Sequence, residues 1–121
     1  MSTAVLLMGH GSRAEKANNE LREVAKGVFN RGSFDIVEAA FLQLTGPSIE
    51  EGVKKCAEGG AKKVYMVPYF LYIGIHVSHD LPEIIGKLRT EYPGIQFILT
   101  GHLGVHDRMA DVVLERIRES D

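Results

Sequence analysis

Apolar and polar positions change period several times along the chain, and each change marks an element. Ala4-Val5-Leu6-Leu7-Met8 is an unbroken apolar run closed by Gly9, the pattern of a buried strand. From Ala14 the apolar positions recur every three or four residues, at Ala14, Ala17, Leu21, Val24 and Val28, with charges between them. That spacing predicts an amphipathic helix ending near Arg31-Gly32. Phe34 to Phe41 predicts a second strand. Pro47 is expected to open a second helix, because the first turn leaves its missing N–H unused, and Gly59-Gly60 to stop it. Lys63 to Pro68 predicts a third strand. Val77, Leu81, Ile84, Ile85, Leu88 and Tyr92 mark a third helix, closed by Pro93-Gly94. Ile95 to Thr100 predicts the fourth strand, and Val105, Met109, Val112, Val113 and Ile117 the last helix.

The order is therefore β-α-β-α-β-α-β-α. Strands written as apolar runs rather than alternations are expected to be buried on both faces, as in a parallel sheet. The fold class expected is α/β: a single four-stranded parallel sheet with helices on both faces, one domain over residues 1–121. The chain has 121 residues, too few for two ordinary domains. Lys and Arg number 14 against 16 Asp and Glu, a formal charge of -2, which argues against a nucleic-acid binder. The single cysteine, Cys56, cannot form an intrachain disulfide, and its place in a helical apolar pattern suggests a buried small hydrophobe. Met1-Ser2-Thr3-Ala4-Val5 lacks a basic leader, and the longest apolar run, Val64 to Ile75, is broken by Pro68 and Gly74. These features point to a soluble cytoplasmic protein with no membrane partner.

An open parallel sheet binds ligands beyond the carboxyl ends of its strands. The segments there are Gly9-His10-Gly11-Ser12-Arg13, Gln43-Leu44-Thr45-Gly46, Tyr69 to His76, and Gly101-His102-Leu103-Gly104. His10, His76 and His102 lie in them, with His79 and His106 close behind, so all five histidines gather toward one edge. His10 between two glycines suits close approach of a ligand, or else a satisfied turn. Ser12 is expected to cap the first helix, and Arg13 to stand in solvent or hold a ligand carboxylate. No dinucleotide fingerprint, Walker loop or Gly-x-Ser-x-Gly elbow is present. Tyr69 to Ile75 is an apolar, aromatic loop, fit either for a dimer interface or for the wall of a flat hydrophobic ligand. His76, His79 and Asp80 could share a helix face, and an exchangeable divalent metal on one or two imidazoles suits them better than structural zinc.

Two stretches resemble the sirohydrochlorin chelatases: Val5 to Arg13, and Val64 to His76 followed by Asp80-Leu81-Pro82. Glu38 to Pro47 is similar to the family segment that carries part of the substrate wall. The chain length matches the small archaeal CbiX or CfbA type of class II chelatase. The resemblance implies a flavodoxin-like half of that architecture working as a homodimer. It implies insertion of Co2+ or Ni2+ into sirohydrochlorin, an acidic tetrapyrrole, on the way to cobalamin or a nickel tetrapyrrole coenzyme. It also implies that His10 and His76 ligate the metal, with His10 the proton acceptor, and that Leu44, Thr45, Tyr69, Phe70, Leu71, Tyr72, Ile73 and Gly74 contact the macrocycle. Ser12 and Arg13 are candidate carboxylate contacts, and no role passes to His79, His102 or His106. No permanent cofactor is expected, since metal and macrocycle are both substrates. A non-catalytic metal carrier using the same histidine edge and a flavodoxin-like nucleotide or phosphate binder are the competing readings; the aromatic loop favours the chelatase over the carrier, and the absent glycine fingerprint weakens the binder.

Overall fold

The structure is a computed structural model and describes residues 2–121; Met1, the first residue of both the N-terminal reading and the 1–121 span, lies outside the described residues. The elements run β1 (Thr3–Gly9), α1 (Glu15–Arg31), β2 (Ile36–Phe41), α2 (Ile49–Glu58), β3 (Lys63–Pro68), α3 (Ile75–Glu91), β4 (Gln96–Leu99) and α4 (Asp107–Glu119). All strand pairs are parallel, in the order β2-β1-β3-β4. Ala4 pairs with Ile36 on one side and Val64 on the other, so β1, the most apolar strand, takes a central position.

The sheet buries its faces unequally. Ala4, Leu6, Met8, Val64, Met66 and Phe97 point to one side, where α2 brings Ile49, Val53 and Cys56 and α3 brings Leu81, Ile85 and Leu88. Truncating any of the larger of these to Ala should destabilise the fold by about 2–5 kcal/mol. On the other side Val5, Leu7, Ala39 and Phe41 meet only α1, through Leu21 and Ala25. β1 is buried on both faces, as expected, but β3 alternates, with Lys63, Tyr65 and Val67 only half-buried. The expectation of strands buried on both faces thus fails for β3, because α4 buries none of its residues and leaves this part of the sheet uncovered. Among the described residues no helix is long and apolar enough to cross a membrane.

Most boundaries shift by a residue or two from the sequence reading, β4 for example running Gln96–Leu99 rather than Ile95 to Thr100, and two shifts have a clear local cause. β2 starts at Ile36 rather than Phe34, whose ring packs edge-on against Tyr65 from the preceding turn. Pro47 does not open α2; it lies before the cap, after a cis Gly46-Pro47 bond. Ser48 is the N-cap and forms a capping box: Glu51 N–H donates to Ser48 Oγ at 3.1 Å, and Ser48 N–H to Glu51 Oε1 at 2.8 Å.

Candidate functional site

The loop after β1 carries His10 and is built into the sheet. Leu42 N–H donates to Gly9 O at 2.9 Å and Gln43 N–H to His10 O at 3.1 Å, continuing the β1–β2 pairing past both strands. Gly11 has φ +90, and a Cβ there would sit 1.8 Å from Gln43 O. Only glycine permits that approach.

Behind this loop stands Asn18, a polar residue on the buried face of α1, with only 2% of its surface exposed. Ser12 N–H donates to its Oδ1 at 2.9 Å, and its Nδ2 donates to Ser12 O at 2.8 Å. Glu15 accepts from Arg22 and from the same Nδ2, and these bonds, the Arg22 one above all, hold its carboxyl below the usual range. The other guanidinium nitrogen of Arg22 reaches Gly46 O at 3.0 Å, over the Phe41 ring, so α1 fastens both of the first two loops. Ser12 is not the helix cap expected for it. Ala14 occupies that position, and Ser12 Oγ instead accepts from Ala14 N–H at 3.0 Å, closing a turn just ahead of the helix. Arg13 is exposed.

His10 itself is exposed, with its ring 4.3 Å from that of Phe70 at an angle of 43°. Phe70 is 6% exposed, so this member of the aromatic loop lies beneath the imidazole rather than in a wall. Ile73 likewise packs toward the core and Tyr69 toward the α1 side of the sheet. Solvent meets Leu71, Tyr72 at 86% exposure and Ile75 at 88%; on the loop after β2, Leu44, at φ +67 and next to Thr45, is exposed too. A hollow of about 430 Å³ beside His10 is lined by Gly11, Ser12, Asn18, Tyr69 and Arg116. A larger one, about 760 Å³, runs along the edge strand β2, away from all five histidines.

The histidines divide by neighbourhood. His76 is exposed in the first turn of α3, directly after Gly74-Ile75. His79, a turn later, lies 3.5 Å from Glu83 on its own helix. His102 folds over Gly104, within 2.9 Å of where a Cβ would stand. His106 caps α4, its Nδ1 accepting from Arg108 N–H at 3.1 Å. Cys56 is fully buried, and burial pushes its thiol up to about 11. Among the described residues no three His, Cys, Asp or Glu side chains gather closely enough to hold a metal ion. Sequence reasoning missed Asn18 and Arg22. The available signal was a polar side chain three residues before Leu21, on the apolar stripe of the helix.

A family model, CbiX, matches residues 4–120. The chain is 34% identical over 117 residues to the sirohydrochlorin cobaltochelatase of Priestia megaterium, with 97% of this chain covered but 38% of that protein. It is 32% identical to the sirohydrochlorin cobaltochelatase of Methanopyrus kandleri, covering 97% of this chain and 96% of the relative. The crystal structure of the sirohydrochlorin chelatase SirB from Bacillus subtilis subspecies spizizenii, in complex with cobalt, superposes with a TM-score of 0.88 at 33% identity. That match covers 98% of this chain and 51% of SirB, so the chain spans about half of SirB, 38% of the Priestia megaterium relative and nearly all of the archaeal one. A match running from β1 through the whole of α4, with an archaeal relative of the same extent, means that this chain belongs to the CbiX family.

Proposed function

We propose that this chain, as a single domain, inserts a divalent metal ion into sirohydrochlorin, with Co2+ or Ni2+ the metal. The observation that carries this reading is a lone exposed imidazole, His10, held on a rigid strand-end loop beside the exposed apolar side chains Leu44, Leu71, Tyr72 and Ile75. A flat macrocycle needs such a wall; a metal carrier does not. The substrates named for the relatives support the same reading.

Metallation replaces two pyrrolic N–H protons by one metal ion. A neutral imidazole binds a divalent cation and also accepts a proton near neutral pH. His10 takes both roles, with His76 the second ligand at the start of α3. Few protein ligands suit the task, because an ion held by a closed set of four would not pass to the ring. The macrocycle lies against Leu71 and Tyr72 on one side and Leu44-Thr45 on the other. Tyr69, Phe70, Ile73 and Gly74 shape that loop from below, and Ser12 and Arg13 meet peripheral carboxylates. No resident cofactor takes part, and the reaction runs in the cytoplasm. Two copies facing each other across their strand-end edges would enclose both faces of one macrocycle, so the working unit is a homodimer.

The test is visible spectroscopy of sirohydrochlorin with Co2+, Ni2+ and, for comparison, Fe2+. Wild-type protein should accelerate insertion of Co2+ or Ni2+, and His10→Ala should fall to the spontaneous rate with its circular dichroism unchanged. Metal binding without acceleration by the wild type would identify a carrier instead.

A further inference from the structure

Of the residues of α4, Arg116 alone reaches the site. The helix buries none of its side chains, yet Arg116 joins His10, Gly11, Ser12 and Tyr69 around the hollow of about 430 Å³. Among the described residues it is the only lysine or arginine in that lining, and Glu20 is the only carboxylate. Arg13, next in sequence to Ser12, is exposed and does not line the hollow.

The guanidinium is loosely engaged. Its Nη1 donates to both oxygens of Glu119, at 3.2 and 3.1 Å, three residues on along the same exposed helix. Exposed pairs of this spacing contribute little and exchange readily with other partners. Among the described residues Nη2 and Nε donate to no group, so the two-pronged face that suits a carboxylate is free. The wall around it has less to offer an anion. Ser12 N–H already donates to Asn18 Oδ1 at 2.9 Å and Ala14 N–H to Ser12 Oγ at 3.0 Å, while Leu21, Phe41 and Tyr69 bring mainly apolar surface. An anion entering the hollow therefore finds one strong donor, and finds it beside His10.

We propose that Arg116 binds one peripheral carboxylate of the macrocycle in this hollow and so selects an acidic tetrapyrrole over other flat rings. The assignment rests on the chelatase reading and adds to it a residue from the last helix. An apolar wall of Leu44, Leu71 and Tyr72 is not selective in this way, because burial of apolar surface carries no direction and reads no charge. Glu20 opposes a carboxylate in the same hollow, and Glu119 competes for the guanidinium. The two acids hold the affinity down, which suits a site that must release its product.

Absorbance titration with metal-free sirohydrochlorin reads this contact apart from metallation. Arg116→Gln should weaken binding about tenfold or more, the loss of a charged hydrogen-bonded pair. KM for the macrocycle should rise by a similar factor with kcat changed less than about twofold, since the contact is made equally in ground and transition states. Arg116→Lys keeps the charge without the fork and should recover part of the affinity. Glu20→Gln and Glu119→Gln should move the other way, tightening binding about two- to threefold at low salt. Co2+ affinity without macrocycle should be the same in wild type and Arg116→Gln. Macrocycle affinity unchanged in Arg116→Gln would overturn the proposal, as would an equal loss of Co2+ binding. If Arg116→Gln loses its circular dichroism, Glu20→Gln still decides, because affinity that fails to rise overturns the proposal too. Binding that depends on Arg116 in a protein that inserts no metal would uphold this contact and refute the chelatase reading. Metal insertion by wild type with equal macrocycle affinity in Arg116→Gln would do the reverse.

Discussion

Replacing Asn18 by Ala removes the clamp that holds the His10 loop from behind. The side chain makes two short bonds to one peptide, accepting from Ser12 N–H at 2.9 Å and donating to Ser12 O at 2.8 Å. A hydrogen bond of this kind contributes about 1 kcal/mol net, and a buried partner left without one costs about 1–3 kcal/mol. Ser12 is only half-buried, so water entering the vacated space recovers part of the second term. The expected loss is about 2 kcal/mol, which at a urea slope of about 2 kcal/mol/M lowers the unfolding midpoint by about 1 M. Function should suffer more than stability. His10 stands two residues from Ser12, and about 1 Å of slack at a reacting group costs about a hundredfold in rate. Urea titration followed by circular dichroism, together with the rate of metal insertion, measures both. Asn18→Asp keeps an acceptor for Ser12 N–H but sets a carboxylate oxygen against Ser12 O, so it should fail as badly as Ala. The reasoning collapses if Asn18→Ala unfolds at the wild-type midpoint, or if Asn18→Asp restores full activity at neutral pH.

Gly11→Ala would drive a Cβ into Gln43 O and part the first two loops, for a loss of about 3–4 kcal/mol seen as a lowered melting temperature; a melt within a degree of wild type would contradict the close approach. His76→Ala should reduce Co2+ binding and turnover more than His79→Ala, because His79 already lies against Glu83; calorimetric titration of both variants gives the order, and a reversed order rejects it. Glu51 has its carboxyl held below its usual value of 4.5, first by the Ser48 backbone N–H and then by the Ser48 side chain. A depressed carboxylate stabilises the fold above its unfolded pKa, and that stability is lost as pH falls through the folded one. The gap between wild type and Glu51→Ala in urea should therefore be wide at about pH 7 and narrow at about pH 3; a gap that is constant with pH would remove the carboxylate from the capping box.

The order of elements and the edge that carries the histidines were legible because both rest on period: apolar runs make strands, and stripes three and four apart make helices. Legibility stopped where an apolar side chain has more than one destination. Phe34 reads as strand but packs from a turn, since burial alone does not make a ladder. Tyr69 to Ile75 has no period, so nothing in it distinguishes Phe70, buried under His10, from Leu71 and Tyr72 in water. Pro47 suits the first turn of a helix, yet Ser48 and Glu51 form a better start one residue later, and a capping pair of side chains outweighs one missing N–H. The stripe of α4 announced a helix but not where its apolar side goes, because amphipathicity names no partner. Asn18 escaped notice since a lone polar residue on a helix is read by default as solvated.

The continuation of the β1–β2 ladder through Leu42 and Gln43 divides the site mechanically. His10 rides on a loop bonded into the sheet, so the amides of Leu42 and Gln43, which pair with Gly9 and His10, should exchange with solvent slowly. The opposite rim hangs from Tyr69 N–H on Met8 O and from the buried Phe70, beyond which Leu71, Tyr72 and Gly74 run free of the sheet. One jaw is an anvil and the other a spring. On the proposed function, a planar guest would push Leu71 and Tyr72 aside on arrival and again on departure, while the imidazole would keep its place. Rate of passage and accuracy of delivery would then fall to different loops, and a substitution at Leu71 or Tyr72 should alter how fast tetrapyrroles come and go without moving the point at which the metal is handed over.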